Sequence, residues 1–152
     1  MDLRTRIGTA LKTAMKEKDA RRLSTLRLIN AAIKDRDIAV RGDGNESGAD
    51  KDDILQILGK MVKQRQESAR AYEEGGRLEL AEQERSEIAV ITDFLPKQLD
   101  ETEVEAAIDA AISEAGAASI RDMGKVMGVL KAKYTGQIDF GQVGPKVKDR
   151  LG

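Results

Sequence analysis

Asp50-Lys51-Asp52-Asp53-Ile54-Leu55-Gln56-Ile57-Leu58-Gly59-Lys60-Met61-Val62, running on through Arg65, Ala69 and Tyr72 to Gly75-Gly76, reads as one long helix. Ile54, Leu58, Met61, Val62, Arg65, Ala69 and Tyr72 recur at three- and four-residue steps, which puts them on one side. Asp50 or Asp52 supplies the carboxylate that caps its first turn. Gly75-Gly76 ends it, because glycine accepts the left-handed exit conformation without a Cβ penalty.

The same period extends in both directions. Upstream, Leu3, Ile7, Ala10, Leu11, Ala14 and Met15 predict a first helix. Asp19 caps a second, with Leu23, Leu26, Ile29 and Ile33 inward. Gly42 to Gly48 has no period and turn-forming residues throughout, so it is a loop. Downstream, Leu80, Ala81, Ile88, Ile91 and Leu95 mark a fourth helix that Pro96 stops. Pro96 to Asp100 is the expected module boundary. After it, Asp100 and Glu103 fit a capping box for a helix burying Val104, Ala107, Ile108, Ala111 and Ile112, closed by Gly116. Ser119 with Asp122 opens another, carrying Met123, Val126, Met127 and Leu130 inward and ending at Gly136. Val143, Val147 and Leu151 keep helical spacing in the last stretch. Pro145 inside it predicts a helix that starts near Pro145 or is kinked. No stretch alternates with period two. The expectation is an all-α chain: a four-helix N-terminal domain over 1–95, then a small three-helix tail module over 96–152.

With 152 residues and 40% hydrophobic content, the chain can bury a core without covalent staples. It has no cysteine and no histidine. That removes disulfides, thiolate metal sites, thiol nucleophiles and the usual general base. No apolar run reaches the roughly 18 residues that a membrane span needs, and no apolar leader precedes the first helix. The expected setting is cytoplasmic, with no membrane. Net charge is −1, but it is unevenly spread. Residues 1–41 carry a local +6, 93–114 carry −6, and 115–152 carry +4.

Three patterns approach a chemistry and fall short of it. Gly59-Lys60 and Gly124-Lys125 lack the upstream glycine and the hydroxyl of a phosphate loop, and they sit inside helices. Asp43, Asn45, Ser47 and Gly48 imitate the start of a calcium loop, but its twelfth position falls on Ile54 and its ninth on Lys51. Glu67, Glu73, Glu74, Glu79, Glu82, Glu84 and Glu87 are dense, yet bundles that hold two metals pair glutamate with histidine. No metal, no cofactor and no catalytic residue are expected. Only Tyr72, Phe94, Tyr134 and Phe140 are aromatic, so any RNA contact would run through phosphate and shape and not through stacked bases.

Several strings, taken in order, carry a resemblance. Arg22-Leu23-Ser24-Thr25-Leu26-Arg27-Leu28, Ala31-Ala32-Ile33-Lys34, Val62-Lys63-Gln64-Arg65-Gln66-Glu67-Ser68, Leu95-Pro96-Lys97-Gln98-Leu99 and Asp122-Met123-Gly124-Lys125-Val126-Met127 resemble the YqeY-like family over essentially the whole chain. From about residue 93 onward the chain is also similar to the helical tail of the GatB subunit of tRNA-dependent amidotransferase, a module that touches the outer corner of tRNA. Phe140, Gly144 and Pro145 depart from that pattern. The resemblance implies tRNA as partner, alongside aminoacyl-tRNA or amidotransferase machinery. It also implies, by association, carbon–nitrogen ligase activity with glutamine as amido-N-donor. The catalytic parts of such a ligase, a Ser–Ser–Lys amidase and an ATP site, have no counterpart here.

The leading expectation is therefore a non-catalytic accessory protein that binds tRNA through its C-terminal module. Its candidate RNA-binding residues are Lys125, Gly128, Lys131, Lys133, Lys146, Lys148 and Arg150. The lysines and arginine would meet phosphates, and Gly128 would let a backbone approach closely. The alternatives are a ligase activity only within a complex, or a helical protein–protein adaptor. The adaptor would use Arg21, Arg22, Arg27, Lys34 and Arg36 beside Glu67, Glu73 and Glu74.

Overall fold

A computed structural model describes residues 2–152. Among them are seven α-helices, one short 3-10 turn and no strand. The helices are α1 (Leu3–Glu17), α2 (Ala20–Gly42), α3 (Lys51–Glu74), α4 (Leu78–Thr92), α5 (Glu101–Ala115), α6 (Met123–Tyr134) and α7 (Phe140–Leu151). The 3-10 turn, Ile120–Asp122, leads into α6. By spatial contact the chain divides into two compact units, Met1–Leu95 and Pro96–Gly152.

Helix starts follow short carboxylate chemistry. Asp2, Asp19, Asp50, Asp100 and Asp139 each accept a backbone N–H from the first turn they precede. At α3 and α5 the exchange is reciprocal, with Asp53 and Glu103 reaching back to the cap residue's own N–H. Gly116 closes α5 at φ +63°, and Gly76 turns the chain after α3 at φ +75°.

The first unit buries Leu3, Ile7, Leu26, Ile29, Ile33, Leu58 and Ile91, with Phe94 and Met61 at the edge. Among the described residues its one buried carboxylate belongs to Asp37 on α2. Arg4 of α1 donates to both Asp37 oxygens at 2.8 and 3.0 Å and to the Ala49 carbonyl at 3.0 Å. The Ala49 N–H, just before α3, donates to Asp37 Oδ1 at 2.7 Å. Three elements are thus tied at one carboxylate. Arg4 holds Asp37 well below the usual carboxylate range, at about 2, with help from the Ala49 N–H. Gly48 runs alongside at φ +82°, and a Cβ there would lie 2.7 Å from Asp37 Oδ1. The glycine that imitates a calcium loop is there for this close approach. Elsewhere, Arg65 joins α3 to Glu87 of α4 at 3.2 Å, and Arg6 lies over the Phe94 ring at 5.7 Å.

The second unit buries Val104, Ala107, Ile108, Ala111, Val126, Leu130, Ile138, Val143 and Val147. The segment Pro96–Leu99 straps this core. Leu99 N–H donates to the Gln137 carbonyl at 3.0 Å, Gln137 returns a bond to the Lys97 carbonyl at 3.0 Å, and Gln98 bonds the Gly136 carbonyl. Every buried side-chain nitrogen and oxygen among the described residues has a partner.

Four local expectations need correction. Met15 is 53% exposed, because α1 buries only Leu3, Ile7 and Ala14 fully. The fourth helix ends at Thr92, three residues before Leu95. Turn bonds from Phe94 to Ile91 and from Leu95 to Thr92 fold the chain inward ahead of Pro96. Ser119 caps the 3-10 turn and not α6 itself, while Asp122 accepts the Ala118 N–H. Finally, α7 begins at Phe140 and runs through Pro145. Proline removes only the N–H that would reach the Gly141 carbonyl, and Val143 and Val147 anchor the helix on either side of it.

Candidate nucleic-acid interface

The 12-residue α6 has two unlike faces. Val126 and Leu130 are fully buried, with Met123 and Met127 packed beside them. On the opposite side, Gly124, Gly128 and Ala132 follow one another at four-residue steps, and all are exposed. A Cβ added at Gly124 or Gly128 would meet nothing within 4 Å. Neither glycine has a positive φ, so no turn or internal contact requires it. Each costs the helix about 1 kcal/mol relative to alanine.

Arg121, Lys125 and Lys131 project from the rim of this bare strip, all of them exposed. Lys125 is 72% exposed at its side chain and lies 3.9 Å from Asp122, a loose pairing at the limit of an ion pair. Lys131 and Arg121 have no ion pair among the described residues. Asp122 is held below the ordinary carboxylate range, chiefly by the Ala118 N–H, so it stays charged beside Lys125.

Lys133, Lys146 and Arg150 meet the acidic face of α5. Lys133 bonds Glu114, which raises its pKa above the ordinary lysine value. Lys146 lies 3.9 Å from Glu101. Arg150 pairs with Glu105 at 3.4 Å and with Asp109, and donates to the Glu105 carbonyl. Lys148 is exposed, with no ion pair among the described residues. Of the seven residues chosen from sequence, Lys125, Gly128 and Lys131 therefore share one face of α6, and Lys133, Lys146 and Arg150 turn toward carboxylates. The sequence choice omitted Arg121 and Gly124. Their signal was present in the four-residue steps Arg121–Lys125 and Gly124–Gly128.

The described residues contain no helix long and apolar enough to cross a membrane. They hold no group of three or more acidic residues set for a metal ion. Three fungal relatives share about a third of the aligned positions. Each is called altered inheritance of mitochondria protein 41, mitochondrial. The Lachancea thermotolerans protein is 32% identical over 103 residues, 68% of this chain and 52% of that one. The Clavispora lusitaniae protein is 37% identical over 95 residues, 60% of this chain and 52% of that one. The Meyerozyma guilliermondii protein is 38% identical over 85 residues, 56% of this chain and 42% of that one. The chain thus spans about half the length of the curated relatives it matches. The profile of the Yqey-like protein family matches residues 4–151, nearly every position of the chain, and the chain belongs to that family.

Proposed function

We propose that this protein is a non-catalytic accessory factor that docks on tRNA through the exposed face of α6. Residues 96–152 would be a three-helix tail module like that of GatB, carried on a four-helix domain over 1–95. Its place of work would be beside aminoacylation or amidotransfer. Any glutamine-dependent carbon–nitrogen ligation there would belong to a catalytic partner. The compartment would be one that holds tRNA: the cytoplasm, as expected from sequence, or the mitochondrion that the relatives' names state for those proteins.

One observation carries this reading. A short helix keeps two solvent-facing glycines that nothing in its own fold requires, rimmed by three cations. A bare strip lets a sugar–phosphate backbone come within reach of the helix surface, and Arg121, Lys125 and Lys131 then meet phosphates. Lys133, Lys146, Lys148 and Arg150 contribute at the periphery, and the first two and Arg150 must exchange carboxylates for phosphates.

Gly128→Leu tests it. Leucine is a strong helix former and meets no obstacle at this position, so folding stability should hold or rise by up to about 1 kcal/mol. Retention of bulk tRNA should fall at least about tenfold, as should that of Lys125→Glu/Lys131→Glu. The wild type should show a log–log salt slope of about −2 to −3 for three phosphate contacts. Wild-type affinity in Gly128→Leu would refute the face assignment.

A second reading, the adaptor, has an observation of its own. Leu28 and Ile38 on α2 are 46% and 68% exposed, with Arg27 and Lys34 beside them. Partners that survive nuclease treatment and are lost in Leu28→Glu/Ile38→Glu would favour it.

A further inference from the structure

The 23-residue helix α2 packs one side against α1, α3 and α4, and its opposite side is exposed. On that side Leu28, Ala31, Asp35 and Ile38 form a row at three- and four-residue steps, apolar except for Asp35. From Leu28 to Ile38 the row runs about 15 Å along the helix. Along one flank Arg27, Lys34 and Arg41 repeat every seven residues, each of them exposed. The side chains of Arg27 and Lys34 make no hydrogen bond or ion pair among the described residues, and Arg41 spends one long bond, 3.4 Å, on the Glu46 carbonyl. Arg21, also exposed, stands seven residues before Leu28 at the end of the row. Arg22 and Arg36, by contrast, are half-buried and paired with Asp93 and Asp53. Beneath the face, Asp37 ties α2 to Arg4 and to the Ala49 N–H, so the face is presented already formed.

The pattern discriminates between occupants. A nucleic acid would satisfy the cations but gain nothing from the apolar row, which lacks an aromatic ring on which a base could stack. A second copy of α2 would meet its own charges. Parallel pairing sets Asp35 against Asp35 and Arg21 against Arg21, and antiparallel pairing sets the flank of Arg27, Lys34 and Arg41 against itself. A helix with an apolar seam and acidic flanks meets neither penalty. Its seam covers Leu28, Ala31 and Ile38, and its carboxylates reach the basic flank. Asp35 then calls for one cation in the seam, and such a lone polar position fixes register.

We infer that the exposed face of α2 docks an amphipathic helix of a protein partner, acidic along its flanks and with a single cation opposite Asp35. The inference rests on the adaptor reading above and names the chemistry of the partner. The face lies wholly within the first unit, so it stands or falls independently of the RNA-facing helix.

The probe is a synthetic peptide of about three heptads with a leucine seam, glutamates on both flanks and one lysine in the middle of the seam. It is titrated into the ¹⁵N-labelled full chain, beside its scrambled sequence, a version with lysines for the flanking glutamates, and oligouridylate RNA. Saturable shifts are expected at the amides of residues 27–42, with affinity at least about tenfold above that of either other peptide. Arg27→Glu/Lys34→Glu should reverse the preference between the glutamate and lysine peptides, and Ile38→Asp should weaken binding at least about tenfold. Lys60→Glu, exposed on α3, should change neither. The same spectra show whether each variant is folded. Equal affinity for the scrambled peptide, displacement of the peptide by RNA at the same amides, or no saturable shift at all would overturn the inference. Nuclease-resistant partners lost in Leu28→Glu/Ile38→Glu, beside a chain indifferent to the acidic peptide, would overturn the acidic helix alone and leave the adaptor reading standing.

Discussion

Asp37→Asn keeps the shape of the side chain that joins α1, α2 and the start of α3, and removes its charge. In the folded chain Asp37 titrates at about 2, against 3.8 for the free group. At ~1.4 kcal/mol per pKa unit, that depression corresponds to about 2 kcal/mol of preference for the ionised form. Arg4 is 46% exposed at its side chain, so solvent screening lowers the net contribution to about 1–2 kcal/mol. A folded pKa below the unfolded one gives stability that is fully present above the unfolded value. It is lost as pH falls from about 4 toward 2. The assay is urea unfolding, read by tyrosine fluorescence. The chain has two tyrosines and no tryptophan. A Tyr134→Phe background leaves Tyr72 as the reporter of the first unit. In that background Asp37→Asn should lower stability at pH 7 by about 1–2 kcal/mol and flatten its decline between pH 4 and pH 2. Wild-type stability at pH 7, or an unchanged acid slope, would refute the account of this carboxylate.

Two further substitutions test the backbone around it and the last helix. Gly48→Ala forces a Cβ to 2.7 Å from Asp37 Oδ1 at a positive φ and should cost at least about 2 kcal/mol in the same unfolding assay. Gly44→Ala shares the positive φ without the collision and should cost only about 1 kcal/mol. Pro145→Ala restores the N–H facing the Gly141 carbonyl and should stabilise the second unit by about 1–3 kcal/mol, read through Tyr134 in a Tyr72→Phe background.

The sequence is most legible where an element is decided by neighbours in the chain. The reciprocal cap of Asp100 with Glu103 spans three residues and is identified by its spacing, whereas at α3 the sequence leaves Asp50 and Asp52 open and the structure takes Asp50, with Asp53 reaching back. Gly116 is read in the same way, from its place after an apolar stripe. Legibility fails where the partner is distant. Asp37 falls four residues after Ile33 on the apolar side of α2, but what it bonds is not read from the chain, because Arg4 and Ala49 lie 33 and 12 residues away. Pro145 reads as a helix start because local propensity opposes it, whereas burial of Val143 and Val147 carries the helix through. For the site, the basic ending is visible as a block of charge, but the destination of each cation is not. Lys133, Lys146 and Arg150 find carboxylates 19 to 45 residues upstream.

Those pairings set the order of importance within the proposed RNA face. An exposed ion pair is worth about 0–1 kcal/mol, so α5 competes with phosphate for Lys133, Lys146 and Arg150 but does not hold them against it. Each exchange returns one carboxylate to water and brings Glu101, Glu105, Asp109 or Glu114 near the RNA, where its negative charge opposes binding. Lys146 and Arg150 of α7 therefore gain little on docking. Arg121 and Lys131 have no carboxylate to surrender, and Lys125 surrenders only a 3.9 Å contact. Net affinity should thus concentrate on α6, on the helix whose outward glycines already forgo stability. The block of positive charge at the chain's end is the conspicuous feature of the sequence, but the cations with least to surrender are Arg121, Lys125 and Lys131 around α6, with Lys148 on α7.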